Sequence, residues 1–175
     1  VAQKILNPMG IQALFFVVSD LVAIEDREEA RQFIVRHVQP GLSMEKLPPY
    51  LNSMKWSDLE LLLEQGHTIG AHTRSHARLS EISSTEGLED EIVSSADSLG
   101  NHLGVNIEHF AYTFGDFASF SSQALSVAQK RFRYVYSGLR GNNTIGTSSF
   151  AIRRDVFTPS DSNPLVGAFL EGGAD

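Results

Sequence analysis

Apolar runs of strand length alternate with amphipathic stretches of helix length along this chain. Residues 11–18 form a continuous apolar run, which is typical of a strand covered on both faces in a parallel sheet. Shorter apolar segments predict further strands at residues 67–71, 105–112, 134–136 and 150–156. Because strands and helices alternate throughout, the pattern predicts an α/β fold with parallel strands, either a barrel or a doubly wound sheet.

Helical segments separate these strands. Apolar residues recur three or four positions apart at 88, 92, 96, 99 and 103, and Gly104 is expected to end that helix. Ser57 and Glu60 predict a capping box at the start of another helix, with Trp56 and Leu61 as its hydrophobic staple. Further helices are predicted at residues 1–6, 28–38 and 121–132.

The composition predicts one globular domain, residues 1–175. Hydrophobic residues make up 42% of the chain, enough for a buried core, and no apolar run is long enough to predict a membrane span. A net charge of −7 disfavours nucleic acid and anionic lipid as partners but is compatible with a neutral or cationic glycan. Since the chain has no cysteine, any metal site must use His, Asp or Glu. No signal peptide is recognisable in these residues, and both the compartment, cytoplasmic or periplasmic, and the oligomeric state stay open.

Residues 66–76 hold three of the six histidines and carry the strongest chemical signal in the chain. His72 and His76 are four positions apart just beyond a predicted strand, and a strand end that curls into a helical turn brings such residues to one side. Two imidazoles placed this way can bind one divalent metal ion. The alternative is that both are solvated or hydrogen-bonded loop histidines, and the spacing alone leaves the two readings open.

Residues 66–76 resemble the second motif of the NodB-homology polysaccharide deacetylases (carbohydrate esterase family four), which is His-Ser/Thr-x-x-His after a Gly-His-x-Ile-Gly lead-in. Residues 110–115, Phe-Ala-Tyr-Thr-Phe-Gly, resemble the third motif in its exopolysaccharide-type form, Phe-Ala-Tyr-Pro-Phe-Gly. Residues 10–17, 54–66 and 150–154 are similar to other segments of the family, and all of them follow the family's order. The resemblance implies a NodB-type distorted (β/α) barrel that is incomplete at its N-terminus.

The resemblance also implies an activity, the metal-dependent removal of acetyl groups from N-acetylated sugars of a poly- or oligosaccharide. One divalent ion, usually zinc, would be held by His72, His76 and an Asp, and would polarise the acetyl carbonyl and lower the pKa of a bound water. The other implied roles are an oxyanion donor at the backbone N–H of Phe114, groove walls at Tyr112 and Phe114, orientation of the catalytic carboxylate by Arg154, and a hydrogen bond within the His segment by Thr73.

The chain departs from the family's pattern at several points. It has no Asp-Asp pair, so the third metal ligand and the general base are expected upstream of Val1, and no histidine follows His109 to serve as the general acid. Thr113 replaces the proline of the third motif and Ala111 its arginine, which puts the rigidity of the groove in question. Two alternatives therefore stay open: a catalytically incompetent carbohydrate-binding relative, or an amidase of the same fold acting on a non-glycan substrate.

The remaining polar residues are interpreted as structural. His67 is expected to be packed behind the His pair, and the isolated histidines are expected at the surface or in structural roles: His37, His102 and His109. The acidic run at residues 86–91 is interpreted as a solvated helix face.

Overall fold

Four parallel strands form the sheet of the computed structural model, which describes residues 1–157 and 161–171. They are β1 (Leu14–Val17), β2 (Thr68–Ala71), β3 (His109–Ala111) and β4 (Tyr134–Tyr136), hydrogen-bonded in the order β1-β2-β3-β4. The predicted α/β fold with parallel strands is thereby confirmed. Because all strands run the same way, their carboxyl ends lie at one edge of the sheet, where the loops that follow them meet.

Helices connect the strands in the predicted alternation. The α-helices are α1 (Ser19–Ala23), α2 (Arg27–Phe33), α3 (Trp56–Glu64), α4 (Thr85–Leu103), α5 (Ser122–Arg131) and α6 (Asn163–Leu170). Shorter 3-10 or π turns occur at Ala2–Leu6, Asn7–Met9, Ile34–Val38, Met44–Lys46, Leu79–Glu81 and Phe117–Ser119. The helix predicted at residues 28–38 is therefore α2 together with the π turn that continues it.

The predicted ends of α4 and α5 are confirmed by their capping contacts. Gly104 closes α4 with a φ of 68°, a left-handed conformation that glycine adopts without a steric penalty. At the start of α5, the hydroxyl of Ser121 accepts the N–H of Ala124 at 3.0 Å. Both signals are local, which is why the sequence pattern was sufficient to place them.

The predicted N-cap of α3 at Ser57 is wrong. The helix begins at Trp56, and the carboxylate of Asp58 accepts the N–H of Lys55 at 2.8 Å. The ammonium of Lys55 also donates to two backbone carbonyls just after α1, so the chain enters the helix at Lys55. Trp56 is consequently the first helical residue and not a staple residue, and its ring stacks on that of His102 with centres 3.9 Å apart.

The strand predicted at residues 150–156 is also wrong. Among the described residues, one bridge between Tyr136 and Ile152 is all that extends the sheet beyond β4. The backbone of Arg153 is instead bonded on both sides to the side-chain amide of Asn143, at 2.9 Å in each direction. On the side that faces β4, Ile152 N–H donates to Val135 O and Ile152 O accepts from Ser137 N–H, but the N–H of Arg154 donates to Leu139 O instead of Ser137 O, so the pairing stops after Ile152.

The hydrophobic core lies between one face of the sheet and helices α3, α4 and α5. The predicted apolar stripe of α4 is confirmed by fully buried side chains on consecutive turns: Leu88, Ile92, Ala96 and Leu99. Phe110 of β3 and Val135 of β4 are buried in the same cluster. Within residues 1–157 and 161–171, no helix combines the length and the apolar character needed to span a bilayer.

Replacing Leu99 by Ala should lower the free energy of unfolding by about 2–5 kcal/mol, because it opens a cavity in the centre of the core. Urea denaturation measures this change. Leu61→Ala is the matched control, because Leu61 lies on α3 with 37% of its surface exposed and should cost less than about 1 kcal/mol. Equal losses in the two variants would contradict the placement of the core.

Candidate functional site

His72 and His76 lie at the carboxyl ends of the strands, and backbone carbonyls orient both rings. The N–H of His72 donates to Val17 O at 2.9 Å, which extends the pairing of β1 and β2 by one residue. Nδ1 of His72 lies 2.8 Å from Ala111 O, and Nδ1 of His76 lies 3.0 Å from His37 O. A carbonyl can only accept, so each Nδ1 carries the proton and each Nε2 keeps a free lone pair.

The two rings face a common cavity. They line a space of about 240 Å³ whose other walls are apolar, among them Phe16 and Val17. The ring centres of His72 and His76 are 5.2 Å apart and the ring planes are 77° apart. Two imidazoles that share one tetrahedral ion need ring centres roughly 5 Å apart, so the spacing fits a shared cation. Among the described residues, no third His, Asp or Glu joins the pair in a metal-binding group.

The His loop, residues 72–76, is strained, and Glu91 of α4 holds it. Thr73 and His76 have φ values of 62° and 66°, a left-handed conformation that is costly for residues with a side chain. One oxygen of the Glu91 carboxylate accepts the N–H groups of Arg74 and Ser75, at 3.1 and 2.9 Å, and the other accepts the Ser75 hydroxyl at 2.6 Å. These charge-assisted bonds secure the middle of the loop between the two strained residues.

Glu91 corrects the interpretation of residues 86–91 as a solvated helix face. Only 7% of Glu91 is exposed, and it lies on the buried stripe of α4, three residues after Leu88 and four before Ser95. That spacing was visible in the sequence and could have identified Glu91 as an inward-facing carboxylate. Burial of a charge then requires partners, which the His loop supplies.

Thr73 supports the loop through its backbone, in contrast to the expectation for this residue. Its carbonyl accepts the hydroxyl of Ser95 at 2.9 Å. Its own hydroxyl is fully buried and has no hydrogen-bond partner among the described residues. The expected hydrogen bond of Thr73 within the His loop is therefore absent from the described contacts, and Ser95 anchors the loop from α4.

Tyr112 does not wall a groove, which corrects the role implied for it. It is 1% exposed and packs in the core against the rings of Phe110 and Phe120. Its N–H donates to Tyr136 O at 3.0 Å, so the chain is still extended at this point and Tyr112 shares the inward face with Phe110, two residues earlier. This burial raises the pKa of the Tyr112 hydroxyl.

Phe114, by contrast, lies beside the His pair. Its ring is edge-on to the ring of His76, with centres 4.9 Å apart, and 41% of the residue is exposed. Phe114 has a φ of 60°, and its N–H donates to no acceptor among the described residues. Gly115 N–H closes a tight turn around it by donating to Thr113 O at 2.6 Å. A donor that is free and next to an imidazole is available to a ligand.

Thr113 resolves the question raised by the missing proline. Its buried hydroxyl donates to Ala77 O at 2.6 Å, directly after the His loop. A side-chain hydrogen bond thus connects the turn after β3 to the His loop, from the position at which the resembled motif has proline.

Arg154 lies behind His72, across the ring of Phe16. The centre of that ring is 6.3 Å from the centre of the His72 ring and 5.3 Å from the guanidinium carbon of Arg154. The guanidinium donates to Ser137 O at 2.7 Å and Tyr112 O at 3.3 Å, and burial lowers its pKa. No acidic side chain of the described residues pairs with it, so it retains a positive charge that a carboxylate could neutralise. Its role in orienting a catalytic carboxylate stays a prediction.

Both imidazoles of the pair are held in the neutral form. Burial lowers the pKa of His72 to about 4; the hydrogen bond that its Nδ1–H donates to Ala111 O opposes this shift, and the nearby positive charge of Arg154 adds to it. Burial also lowers the pKa of His76. The neutral imidazole is the form that binds a metal, so the apolar surroundings favour ligation at neutral pH.

The other histidines have structural roles, and one of them, His37, also orients a member of the His pair. His67 accepts the N–H of Ala13 at 3.1 Å and donates to Asn7 at 2.8 Å, which confirms it as a packed residue. His109 bonds to the hydroxyl of Tyr136, at 3.0 Å. His37 contributes the carbonyl that orients His76, a role that sequence reasoning missed because any residue type supplies a carbonyl.

Comparison with known proteins gives one family match and several structural matches. A family model described as polysaccharide deacetylase matches residues 2–133. No curated protein matches the chain at a significant level. Similar solved structures include the Streptococcus pyogenes deacetylase PplD in complex with acetate, which is 17% identical with a TM-score of 0.72 over 100% of this chain and 64% of that chain.

Two further structures have the same fold. IcaB from Ammonifex degensii is 19% identical with a TM-score of 0.68, over 99% of this chain and 66% of that chain. The polysaccharide deacetylase BC0361 from Bacillus cereus is 16% identical with a TM-score of 0.66, over 91% of this chain and 42% of that chain. At identities this low, structural similarity establishes the fold alone. The similarity confirms the predicted architecture of NodB type. The chain spans less than two thirds of the length of PplD and less than half of BC0361.

Glu91→Gln should lower the free energy of unfolding by about 1–2 kcal/mol, because a neutral amide oxygen accepts the N–H groups of Arg74 and Ser75 more weakly than the carboxylate does. Urea denaturation measures the loss, and Glu89→Gln is the control because Glu89 is exposed on the same helix. A loss no larger in the Glu91 variant than in the control would show that the carboxylate does not hold the His loop.

The metal-free chain should lose stability as the pH falls from about 6.5 towards 4. The pKa of His72 is about 4 in the folded chain and 6.5 in the unfolded chain. Between these pH values the unfolded chain binds a proton that the folded chain does not, so the free energy of unfolding is highest above pH 6.5 and falls as the pH is lowered. The loss attributable to His72 is on the order of 3 kcal/mol. Urea denaturation at a series of pH values, with a chelator present, measures it. His72→Gln should flatten the curve in this range, and superimposable curves would refute the assignment.

Proposed function

The chain belongs to the polysaccharide deacetylase family, and from that premise we propose that it removes acetyl groups from N-acetylated sugars of a poly- or oligosaccharide with the help of one divalent metal ion. The observation that carries the proposal is the geometry of His72 and His76. Both are neutral, both have Nδ1 committed to a carbonyl, and both line one cavity with ring centres 5.2 Å apart. Zinc is the first candidate, because it favours imidazole nitrogen and the chain offers no thiolate.

His72 and His76 would hold the ion through Nε2. When bound, the ion would polarise the acetyl carbonyl and acidify a water molecule. The apolar walls of the cavity, such as Val17 and Leu21, would exclude bulk water and so strengthen each electrostatic contact inside. PplD, which has this fold, was solved in complex with acetate, the acid that a deacetylase releases, and we infer that this cavity accommodates the same group.

Phe114 and Arg154 would also take part in the proposed deacetylation. The N–H of Phe114, which has no acceptor among the described residues, would donate to the acetyl oxygen as that oxygen gains negative charge, a contribution worth about 10²–10³ in rate for one donor. The exposed ring of Phe114 would face the sugar, since apolar ring faces pack well on pyranose rings. The guanidinium of Arg154, which lacks an acidic partner among the described residues, would position the carboxylate that acts as general base.

A glycan-binding protein without hydrolytic activity is the second candidate, and one observation favours it. The described residues bring together two metal-binding side chains and no third. Such a protein would bind N-acetylated oligosaccharides without releasing acetate, and its binding would not depend on a metal.

Acetate release from N-acetylglucosamine oligomers by the zinc-loaded full-length protein tests the proposal. A chelator should abolish the release and added zinc should restore it. His72→Ala and His76→Ala should each weaken zinc binding by at least about a hundredfold in calorimetry, because each removes one nitrogen ligand.

His102→Gln is the matched control, since His102 stacks on Trp56 away from the cavity, and it should leave both zinc binding and acetate release unchanged. Zinc binding that survives replacement of His72 and of His76 would refute the metal site. Oligosaccharide binding that persists in the chelator without acetate release would instead favour the second candidate.

A further inference from the structure

Phe114 adopts a conformation that its own residue type disfavours. Its φ of 60° places it in the left-handed region, where a Cβ crowds the following carbonyl, and the neighbouring Gly115 also has a positive φ of 73°. No hydrogen bond from the N–H of Phe114 to the described residues helps to stabilise this geometry. Contacts of the side chain and of the flanking residues must therefore hold the turn.

A fork of two charged residues holds the turn from the side of the His loop. The guanidinium carbon of Arg78 lies 4.4 Å from the centre of the Phe114 ring, in a cation–π contact. The same guanidinium binds both carboxylate oxygens of Asp116, with N–O distances of 2.9, 3.2 and 3.2 Å. Arg78 follows His76 by two residues and Asp116 follows Phe114 by two, so the fork joins the two segments at matching positions.

Asp116 is itself fixed by the short helical turn that follows it. Its carbonyl accepts both the N–H and the hydroxyl of Ser119, at 3.0 and 2.7 Å. The carboxylate is thus presented to Arg78 from a local structure that has its own hydrogen bonds. Because Asp116 is held by its own turn and Arg78 follows the His loop directly, their ion pair fixes the turn at Phe114 relative to the His loop.

The opposite side of the turn is closed by backbone packing. A Cβ placed on Gly115 would lie 2.6 Å from the Cα of Gly138, in the loop after β4, and one placed on Gly138 would lie 2.6 Å from the Cα of Gly115. The two glycines therefore touch through their main chains. Between this contact and the Arg78 fork, the turn has no room to shift without breaking one of them.

We propose that Arg78 and Asp116 are positioning residues that keep Phe114 in its left-handed conformation beside His76 and thereby fix the place of its N–H. The catalytic consequence rests on the proposed function, whereas the conformational claim does not. An exposed ion pair contributes little to overall stability, so the effect of this pair is on local geometry. Arginine is required because its planar group contacts the ring and both carboxylate oxygens at once, which an ammonium cannot do.

The test uses the full-length protein with Arg78→Met, Arg78→Lys and Asp116→Asn. Asp97→Asn is the matched control, because Asp97 forms a similar exposed pair with Arg131, at 3.0 Å, outside the site. The three-bond coupling between the amide proton and Hα of Phe114, measured by NMR, reports its φ. Zinc affinity, melting temperature, and kcat and KM for N-acetylglucosamine oligomers are measured in parallel.

Arg78→Met and Asp116→Asn should change the Phe114 coupling and lower kcat by about tenfold to a hundredfold, with KM and zinc affinity unchanged, since a donor is displaced while the metal ligands stay. Arg78→Lys should recover part of kcat, because it keeps the charge above the ring but not the fork. The control should match the parent chain in every readout.

An unchanged Phe114 coupling in both Arg78→Met and Asp116→Asn would overturn the inference, whatever happens to activity. A fall in melting temperature with an unchanged coupling would overturn it as well, because the pair would then be merely structural. If the full-length parent protein releases no acetate, the proposed function fails, and the coupling still decides whether the fork sets the conformation of Phe114.

Discussion

The buried carboxylate of Glu91 accepts hydrogen bonds from the His loop, and the candidate site is built on this contact. The loop needs it because Thr73 and His76 both have positive φ, a conformation that costs on the order of 1–3 kcal/mol for a residue with a side chain. Bonds from Arg74 and Ser75 to a buried anion offset that cost. The position of the His loop therefore depends on α4 as well as on the strand end from which the loop emerges.

Sheet geometry then decides how the imidazoles are oriented. His72 donates to the carbonyl of Ala111, which is available because β2 and β3 are adjacent parallel strands that end at the same edge. His76 donates to the carbonyl of His37, which comes from the excursion between β1 and β2. The surroundings are apolar enough to lower the pKa of both rings, so orientation and protonation state favour the same use of Nε2 as a ligand.

The turn after β3 shows that different residue types can meet one structural requirement. The family's third motif has a proline where this chain has Thr113, and a hydroxyl bond to Ala77 O takes over the connection to the His loop. Close contact of Gly115 with Gly138 confines the turn from the other side. The result is a left-handed Phe114 beside an imidazole, with an N–H that no described residue accepts, and this geometry forms without the proline of the motif.

Periodicity and spacing are local properties, and they were sufficient for the alternation of strands and helices, the apolar stripe of α4, most helix ends, and the closeness of His72 and His76. Burial is a property of the whole fold: the charge pattern predicts a solvated face at residues 86–91 and the family resemblance implies a groove position for Tyr112, whereas neighbouring elements cover both Glu91 and Tyr112. The strand predicted at residues 150–156 is wrong for a related reason, since the N–H of Arg154 donates to Leu139 O, in the loop after β4, and does not continue the pairing with β4. A side chain's environment depends on which segments pack over it, and only the folded chain brings those segments together.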